Sequence, residues 1–147
     1  ITITDPNMTR FNITMDQALD LIFRVIKNGH GGDVHIPKLN SYRVGDIKDV
    51  LLDLMNSKNK EERIPVRIGE KLHEILINEH EIRNTYENKD NDYVIFENQL
   101  SKNNIEVIPN SKKTTLTSEY SSDKVKPVSQ EELKKILINQ NLIPKNY

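Results

Sequence analysis

Two arginines stand where the chain passes between extended and helical patterning: Arg10, in Met8-Thr9-Arg10-Phe11, and Arg67, in Val66-Arg67-Ile68-Gly69-Glu70-Lys71-Leu72-His73-Glu74. Ile64, Val66 and Ile68 alternate as in a short strand, and Gly69 permits a tight turn where a Cβ would clash. Leu72, Ile75 and Leu76 then recur at helical spacing. This pattern predicts strand, turn and helix, with Arg67 beside a helix N-terminus whose free N–H groups favour an anion. A guanidinium there could hold a phosphate through two parallel hydrogen bonds. The simpler alternative is an ion pair with Glu70. Two arginines arriving from separate loops could clamp a diphosphate, although sequence spacing does not bring Arg10 to Arg67.

The remaining chemistry-bearing groups give weaker signals. Glu70 and Glu74, one turn apart on the expected helix, could serve as acid and base, or could solvate a face and pair with Lys71 or Arg67. His30, His35, His73 (placed on the same helix) and His80 lack metal-ligand spacing with nearby carboxylates. No serine or threonine has an evident histidine partner for nucleophilic catalysis. Tyr120-Ser121-Ser122-Asp123-Lys124 matches the Tyr-x-x-x-Lys spacing that short-chain dehydrogenases use for proton transfer. Its surroundings are polar and extended, and no glycine-rich fold precedes it, so the match reads as chance. Gly29-His30-Gly31-Gly32 is the only glycine cluster, and a G-x-G-x-x-G fingerprint would need glycine where Val34 stands.

The elements that must position these groups alternate between strand and helix. Ile1-Thr2-Ile3-Thr4 is β-type, Asp5-Pro6-Asn7 is turn chemistry, and Met8 to Ile13 leads to a capping box of Thr14 and Gln17. The helix that follows has Ala18, Leu21, Ile22, Val25 and Ile26 as its expected inward face and ends at Asn28-Gly29. Asp33 to Ile36 reads as a strand stopped by Pro37. A second helix is expected from about Val44 to Asn56, and Ser57 to Arg63 is a charged connector. A short helical piece begins at Asn78 with Glu81. Thr85 to Glu97 reads as a hairpin turning at Asn88-Lys89-Asp90-Asn91. Residues 98–113 read as a loop, Thr114 to Tyr120 as extended chain, and Ser129 with Glu132 caps a last helix with Leu133, Ile136 and Leu137 inward. The organisation expected is residues 1–97 as an α/β portion, 98–113 as a linker and 114–147 as an extended segment plus helix.

The 147 residues suit one domain or part of a larger protein. A net charge of −1, with 21 basic and 22 acidic residues, gives no electrostatic footprint for nucleic acid or an anionic membrane. Five tyrosines and three phenylalanines offer few stacking groups for bases. There is no cysteine, which excludes disulfides and thiolate metal sites within these residues and permits a reducing, cytoplasmic setting. The apolar faces are narrow, as in elements that cover another layer, and the sequence opens on Ile1 within a β-type run. The expectation is that the chain is cut from something longer.

At several of these residues the chain resembles a known family. Thr2-Ile3-Thr4-Asp5, Met8-Thr9-Arg10-Phe11 and Ile13-Thr14 resemble the start of the C-terminal half of UDP-N-acetylglucosamine 4,6-dehydratases that invert C5. These are extended short-chain dehydrogenase/reductases of polysaccharide and glycan-sugar synthesis. Gly32-Asp33-Val34 with Ile36-Pro37-Lys38, then Arg67-Ile68-Gly69-Glu70-Lys71-Leu72-His73-Glu74, are similar to that family's following signatures. Glu119 to Asp123, with Ser129 and Glu131-Glu132-Leu133, resembles its closing segment.

The resemblance implies an α/β fold forming the small C-terminal substrate-binding portion, with the Rossmann core absent. For the intact enzyme it implies an NADP-type cofactor, oxidation at C4 of the sugar, loss of water across C5 and C6, return of hydride to C6 and inversion at C5. The catalytic and cofactor residues would lie in an N-terminal Rossmann domain upstream, leaving this portion inactive alone. What carries over is UDP-sugar binding: Arg10 and Arg67 toward the diphosphate, and Tyr120, Ser121, Ser122, Asp123, Lys124, Val125 and Lys126 near the nucleotide sugar. A homo-oligomer is implied for the intact form, without nucleic acid, membrane or metal. The competing reading is a stand-alone, non-catalytic α/β module that binds an anion or serves assembly.

Overall fold

The computed structural model describes residues 1–29, 31–96 and 111–143. They form a mixed α/β fold whose chain divides into two compact units. Unit 1 takes Ile1–Asn12, Asn40–Glu74 and Ser121–Tyr147, and unit 2 takes Ile13–Leu39 and Ile75–Tyr120.

In unit 1, β1 (Thr2–Ile3) runs parallel to β5 (Glu62–Arg63), and β2 (Thr9–Asn12) runs antiparallel to β4 (Asn40–Arg43). The second pairing sets Arg10 opposite Tyr42. Helix α2 (Val44–Leu54) follows β4 directly and stops short of the expected Asn56, which has a positive φ of 45°. Its start is fixed by backbone bonds instead of a side-chain cap: Val44 N–H donates to Met8 O and Gly45 N–H to Pro6 O. A Cβ at Gly45 would lie 3.0–3.1 Å from Pro6, so glycine allows this close approach. Helix α3 (Gln130–Asn139) begins at the capping box expected from Ser129 and Glu132. Leu133 and Leu137 are buried against Val50, with Ile47, Leu51, Leu54, Tyr42 and Val128 packed around them. This small cluster is part of the apolar core of unit 1, in which Ile3 and Met8 are also buried.

In unit 2, α1 (Met15–Asn28) starts at the complete Thr14–Gln17 capping box. Gly29 closes it with extended backbone, not the left-handed conformation usual for a terminal glycine, and a Cβ there would meet Val25 O at 2.6 Å. The expected inward face is corrected in part. Ala18, Leu21 and Val25 are half-buried, but Ile22 and Ile26 are 51% and 76% exposed. β3 (Asp33–Ile36), β8 (Tyr93–Phe96), β7 (Thr85–Glu87) and β9 (Lys112–Lys113) make one sheet in the spatial order β3-β8-β7-β9, every neighbouring pair antiparallel. All four residues of β8 are buried, as an apolar run flanked by strands on both sides should be. The hairpin expectation holds for β7 and β8, with Asn91 in the left-handed region at its turn. Glu97 and residues 98–110 of the expected hairpin and linker fall outside the described residues. Lys112 and Lys113, assigned to the linker, are instead paired with β7.

The largest correction concerns the Gly69 stretch. Residues 64–67 form no strand, and no helix follows Gly69. Instead Ile68 and Gly69 sit in a β-turn closed by Glu70 N–H on Arg67 O, with Gly69 at φ 82°. Ile75–Ile77, read as helix, is the strand β6 of unit 2. Val66 and Ile68 are 47% and 108% exposed, so their alternation reflects no buried face. Further on, Asn78 and Glu81 cap each other as expected, but only a three-residue 3-10 turn (Ile82–Asn84) follows. Of the extended chain expected at 114–120, only Tyr120–Ser121 (β10) is strand. Among the described residues no helix is long and apolar enough to cross a membrane.

Candidate functional site

The groups singled out around Arg10 converge in unit 1, on the edge of β2. Thr9 N–H donates to Leu72 O at 3.0 Å, which brings the 70–74 loop alongside the strand. Arg10 reaches back along this seam: Nη1 donates to Thr9 O at 2.7 Å and to Leu72 O at 3.1 Å, while Nε stands 3.9 Å from Glu74 Oε1. Its side chain is 22% exposed and that of Glu74 44%. Glu74 Oε2 accepts the N–H of Phe11 at 2.7 Å. At the same residue the backbone N–H donates to Ser122 Oγ at 2.9 Å, and the carbonyl accepts the Ser122 N–H at 2.8 Å. Ser122 Oγ in turn lies 2.6 Å from Thr9 Oγ1. Three segments distant in the chain, 8–11, 72–74 and 122, are thus joined by one set of hydrogen bonds.

Facing Arg10 across the strand pair, Tyr42 has its phenol pushed above the ordinary value, first by burial and then by the Glu74 carboxylate, with Arg10 opposing. Asp123, at the far end of the serine run, is held below the usual carboxylate range, chiefly because Ser121 Oγ donates to it at 2.6 Å. The nearby Lys124 acts in the same direction, after the desolvation that opposes it.

Arg67 occupies a different position from the one its spacing suggested. With no helix after Gly69 there is no helix N-terminus beside it, and the anion site argued from that dipole is absent. Its side chain is exposed. Its backbone N–H, not its guanidinium, contacts Glu70, at 3.1 Å, and the other Glu70 oxygen accepts from Thr4. Glu70 and Glu74 do not share a helical face, and His73 lies in a loop.

The 120–126 segment is occupied largely with its own fold. Tyr120 is buried, and its hydroxyl accepts from Leu39 N–H at 2.7 Å and donates to Leu39 O at 3.2 Å. Ser121 and Ser122 are buried, Val125 O accepts from Ser41 Oγ at 2.9 Å, and Lys124 N–H closes a turn onto Ser121 O. Asp123, Lys124 and Lys126 are exposed. Tyr120 and Lys124 do not lie on one helix.

Sequence reasoning missed the contact of Thr9 Oγ1 with His73 Nδ1, at 2.8 Å. A hydroxyl–histidine pair separated by 64 residues leaves no spacing to read. The available signal was that Thr9 and His73 both belong to the stretches that stood out on other grounds. A separate cavity of about 450 Å³ in unit 2 is lined by residues that include Ile36, Leu76, Asn78, Arg83, Ile95 and Phe96, and contains none of the residues assigned to ligand binding from sequence.

The chain belongs to the family described as Polysaccharide biosynthesis protein, whose model matches residues 1–96. It is 31% identical over 144 residues to a UDP-glucose 4-epimerase of Rickettsia bellii, covering 97% of this chain and 42% of that protein. A UDP-glucose 4-epimerase of Rickettsia massiliae is 27% identical over 143 residues, with the same coverage. Among solved structures, Pen from Bacillus thuringiensis superposes with a TM-score of 0.79 at 28% identity, over 98% of this chain and 41% of that one. The chain therefore spans less than half the length of these relatives. The matches support its reading as a portion of an extended short-chain dehydrogenase/reductase.

Proposed function

We propose that this chain is the nucleotide-sugar-binding, C-terminal part of a UDP-N-acetylglucosamine 4,6-dehydratase that inverts C5, with the catalytic residues carried by a Rossmann portion outside these residues. The observation that carries the reading is the joining of 8–11, 72–74 and 122 in unit 1, because these are the stretches on which the family resemblance rests. The Arg10 guanidinium is half-buried and anchored through Nη1. Its other N–H groups are only weakly engaged, Nη2 by Met8 Sδ at 3.5 Å and Nε by Glu74 at 3.9 Å, and they are the groups assigned to the diphosphate. Arg67 is assigned a peripheral role, as an exposed charge that would meet the ligand by moving.

A dinucleotide does not fit these residues. Gly29, Gly31 and Gly32 lie after α1 and before β3, the reverse of the strand–glycine–helix order that aims N–H groups at a pyrophosphate. The NADP of the intact enzyme is therefore assigned to the other portion. Helix α1 supports such a partner: it buries none of its residues and exposes Met15, Leu19, Ile22, Phe23 and Ile26 in a stripe at helical spacing.

A second reading, binding of UDP-glucose for epimerisation at C4, is favoured by the names of the Rickettsia relatives. Calorimetry of the chain with UDP, UDP-N-acetylglucosamine and UDP-glucose separates the two. Binding of UDP-N-acetylglucosamine in preference to UDP-glucose is expected, and the opposite order favours the epimerase. Failure to bind any of the three overturns the nucleotide-sugar reading. Turnover of UDP-N-acetylglucosamine by this polypeptide alone would refute the catalytic dependence on another portion.

A further inference from the structure

The hydroxyls of Thr9 and Ser122 form a relay that ends on His73. Thr9 Oγ1 is 2.8 Å from His73 Nδ1 and 2.6 Å from Ser122 Oγ. Ser122 Oγ also receives Glu74 N–H at 2.9 Å and donates to Thr9 O at 3.1 Å. Thr9 is 6% exposed and Ser122 is fully buried, so bulk water does not substitute for either partner.

A hydroxyl has one hydrogen to donate and two lone pairs to accept with. One assignment satisfies all four contacts. Ser122 donates to the Thr9 carbonyl, Thr9 donates to Ser122 Oγ, and a lone pair of Thr9 Oγ1 faces His73 Nδ1. The imidazole must then donate from Nδ1. In the reverse assignment Ser122 donates to Thr9 Oγ1 and Thr9 to His73. That leaves Ser122 Oγ and the Thr9 carbonyl oxygen 3.1 Å apart with no hydrogen between them, which is repulsive in a buried site. His73 itself is half-buried, and among the described residues its Nε2 has no hydrogen-bond partner and is not enclosed.

We infer that Thr9 and Ser122 hold neutral His73 in its Nδ1–H form, so that Nε2 presents a lone pair to accept a hydroxyl from a polyhydroxylated ligand. The other nitrogen's hydrogen bond sets which ring nitrogen is free to act, as in other histidine sites. The identity of that ligand as the sugar of a UDP-sugar rests on the function proposed above; the tautomer does not. Thr9 and Ser122 are positioning residues, and His73 is the group that would touch the ligand.

Long-range nitrogen–proton NMR on the chain, at a pH well above the ordinary imidazole value of about 6.5, reads the tautomer directly, with His73→Gln assigning the signals. Expected are a protonated-type Nδ1 and a bare-type Nε2. The reverse pattern, or an average of the two, overturns the inference. Thr9→Val should release the ring to the Nε2–H form, whereas Thr9→Ser, which keeps the hydroxyl, should retain Nδ1–H. The Ser variant also covers the case in which Val fails to fold, since loss of Nδ1–H in a folded Thr9→Ser chain equally overturns the relay.

Adding UDP-N-acetylglucosamine should then move the Nε2 resonance, and His73→Gln should weaken that ligand by roughly tenfold while leaving UDP unaffected, the loss expected for one hydrogen bond to a sugar hydroxyl. Binding without any response at Nε2 removes His73 as the acceptor and leaves the proposed function standing. Absence of binding with the Nδ1–H form intact removes the ligand and leaves the relay.

Discussion

The two units owe their internal order to different physics. Unit 2 surrounds an apolar strand: Tyr93, Val94, Ile95 and Phe96 of β8 are all buried between β3 and β7. Buried carboxylates then clamp the periphery, with Asp92 receiving Arg24 through both oxygens and Glu87 receiving Lys38 at 2.9 Å. Among its described residues unit 1 buries the small cluster of Val50, Leu133 and Leu137 together with Ile3 and Met8, and much of its remaining order comes from hydrogen bonds between loops and strand ends. A sheet with a continuous apolar strand tolerates polar change at its edges. A unit joined by hydroxyls and backbone groups concentrates its polar chemistry where a ligand would be read, but has little apolar reserve behind it.

The contrast predicts its own largest effect. Leu133→Ala removes the best-buried side chain of the Val50, Leu133 and Leu137 cluster, at 2% exposure, and should cost up to about 5 kcal/mol by urea unfolding. A loss below about 1 kcal/mol would show that the hydrogen-bonded seam, not the cluster, carries unit 1.

In unit 2 the corresponding weak point is charged. Glu87 is 5% exposed and accepts from Lys38 Nζ and from both the N–H and hydroxyl of Thr115. The Lys38 bond is the main reason its carboxyl titrates at about 2 instead of the ordinary 4.5. Ionised Glu87 therefore favours the folded state fully above pH 4.5, and that advantage declines as the pH falls through the window down to 2. Glu87→Gln should cost about 3 kcal/mol at neutral pH by leaving Lys38 without its buried partner. It should also flatten the acid limb of a pH–stability curve between those values. An acid limb unchanged by the substitution would assign it to other carboxylates.

A smaller loss belongs to Tyr120, whose hydroxyl both donates to and accepts from the backbone of Leu39. Tyr120→Phe keeps the ring against Tyr93 and removes those bonds, and should cost about 1 kcal/mol. Its phenol is raised above the ordinary value, first by burial, so ionisation at alkaline pH should come late and disappear in the variant. Ultraviolet titration reads this directly.

How much of this was legible depended on range. The capping boxes at Thr14–Gln17 and Ser129–Glu132 act across three residues, and both helices begin where those residues place them. The Asn88 to Asn91 turn was equally local. The Gly69 stretch failed because its apolar residues fit two periods, and only a neighbour could choose between them. Val66 and Ile68 gain no strand partner and Ile64 only donates its N–H to Ile3 O, whereas Ile75–Ile77 does become strand. The site was half legible. Met8–Phe11, 72–74 and Ser122 stood out singly, but their joining spans 48, 64 and 113 residues, and no local preference encodes which hydroxyl meets which imidazole. The helix dipole expected beside Arg67 is absent because no helix follows Gly69.

The smallest expected effect tests the side of unit 2 where pattern and burial part company. Ile26 repeats at helical spacing with Ala18, Leu21, Ile22 and Val25, the face expected to point inward, yet it is 76% exposed. Burial, not periodicity, sets what a side chain contributes, because only apolar area removed from water stabilises. Ile26→Gln should therefore leave the stability of this chain within about 0.5 kcal/mol, while Val25→Gln, one residue away on the half-buried face, should be measurably worse. If thermal unfolding showed Ile26→Gln as damaging as Val25→Gln, the stripe would already be covered in the isolated chain, and α1 could not be the face left open for the remaining length of the family's fold.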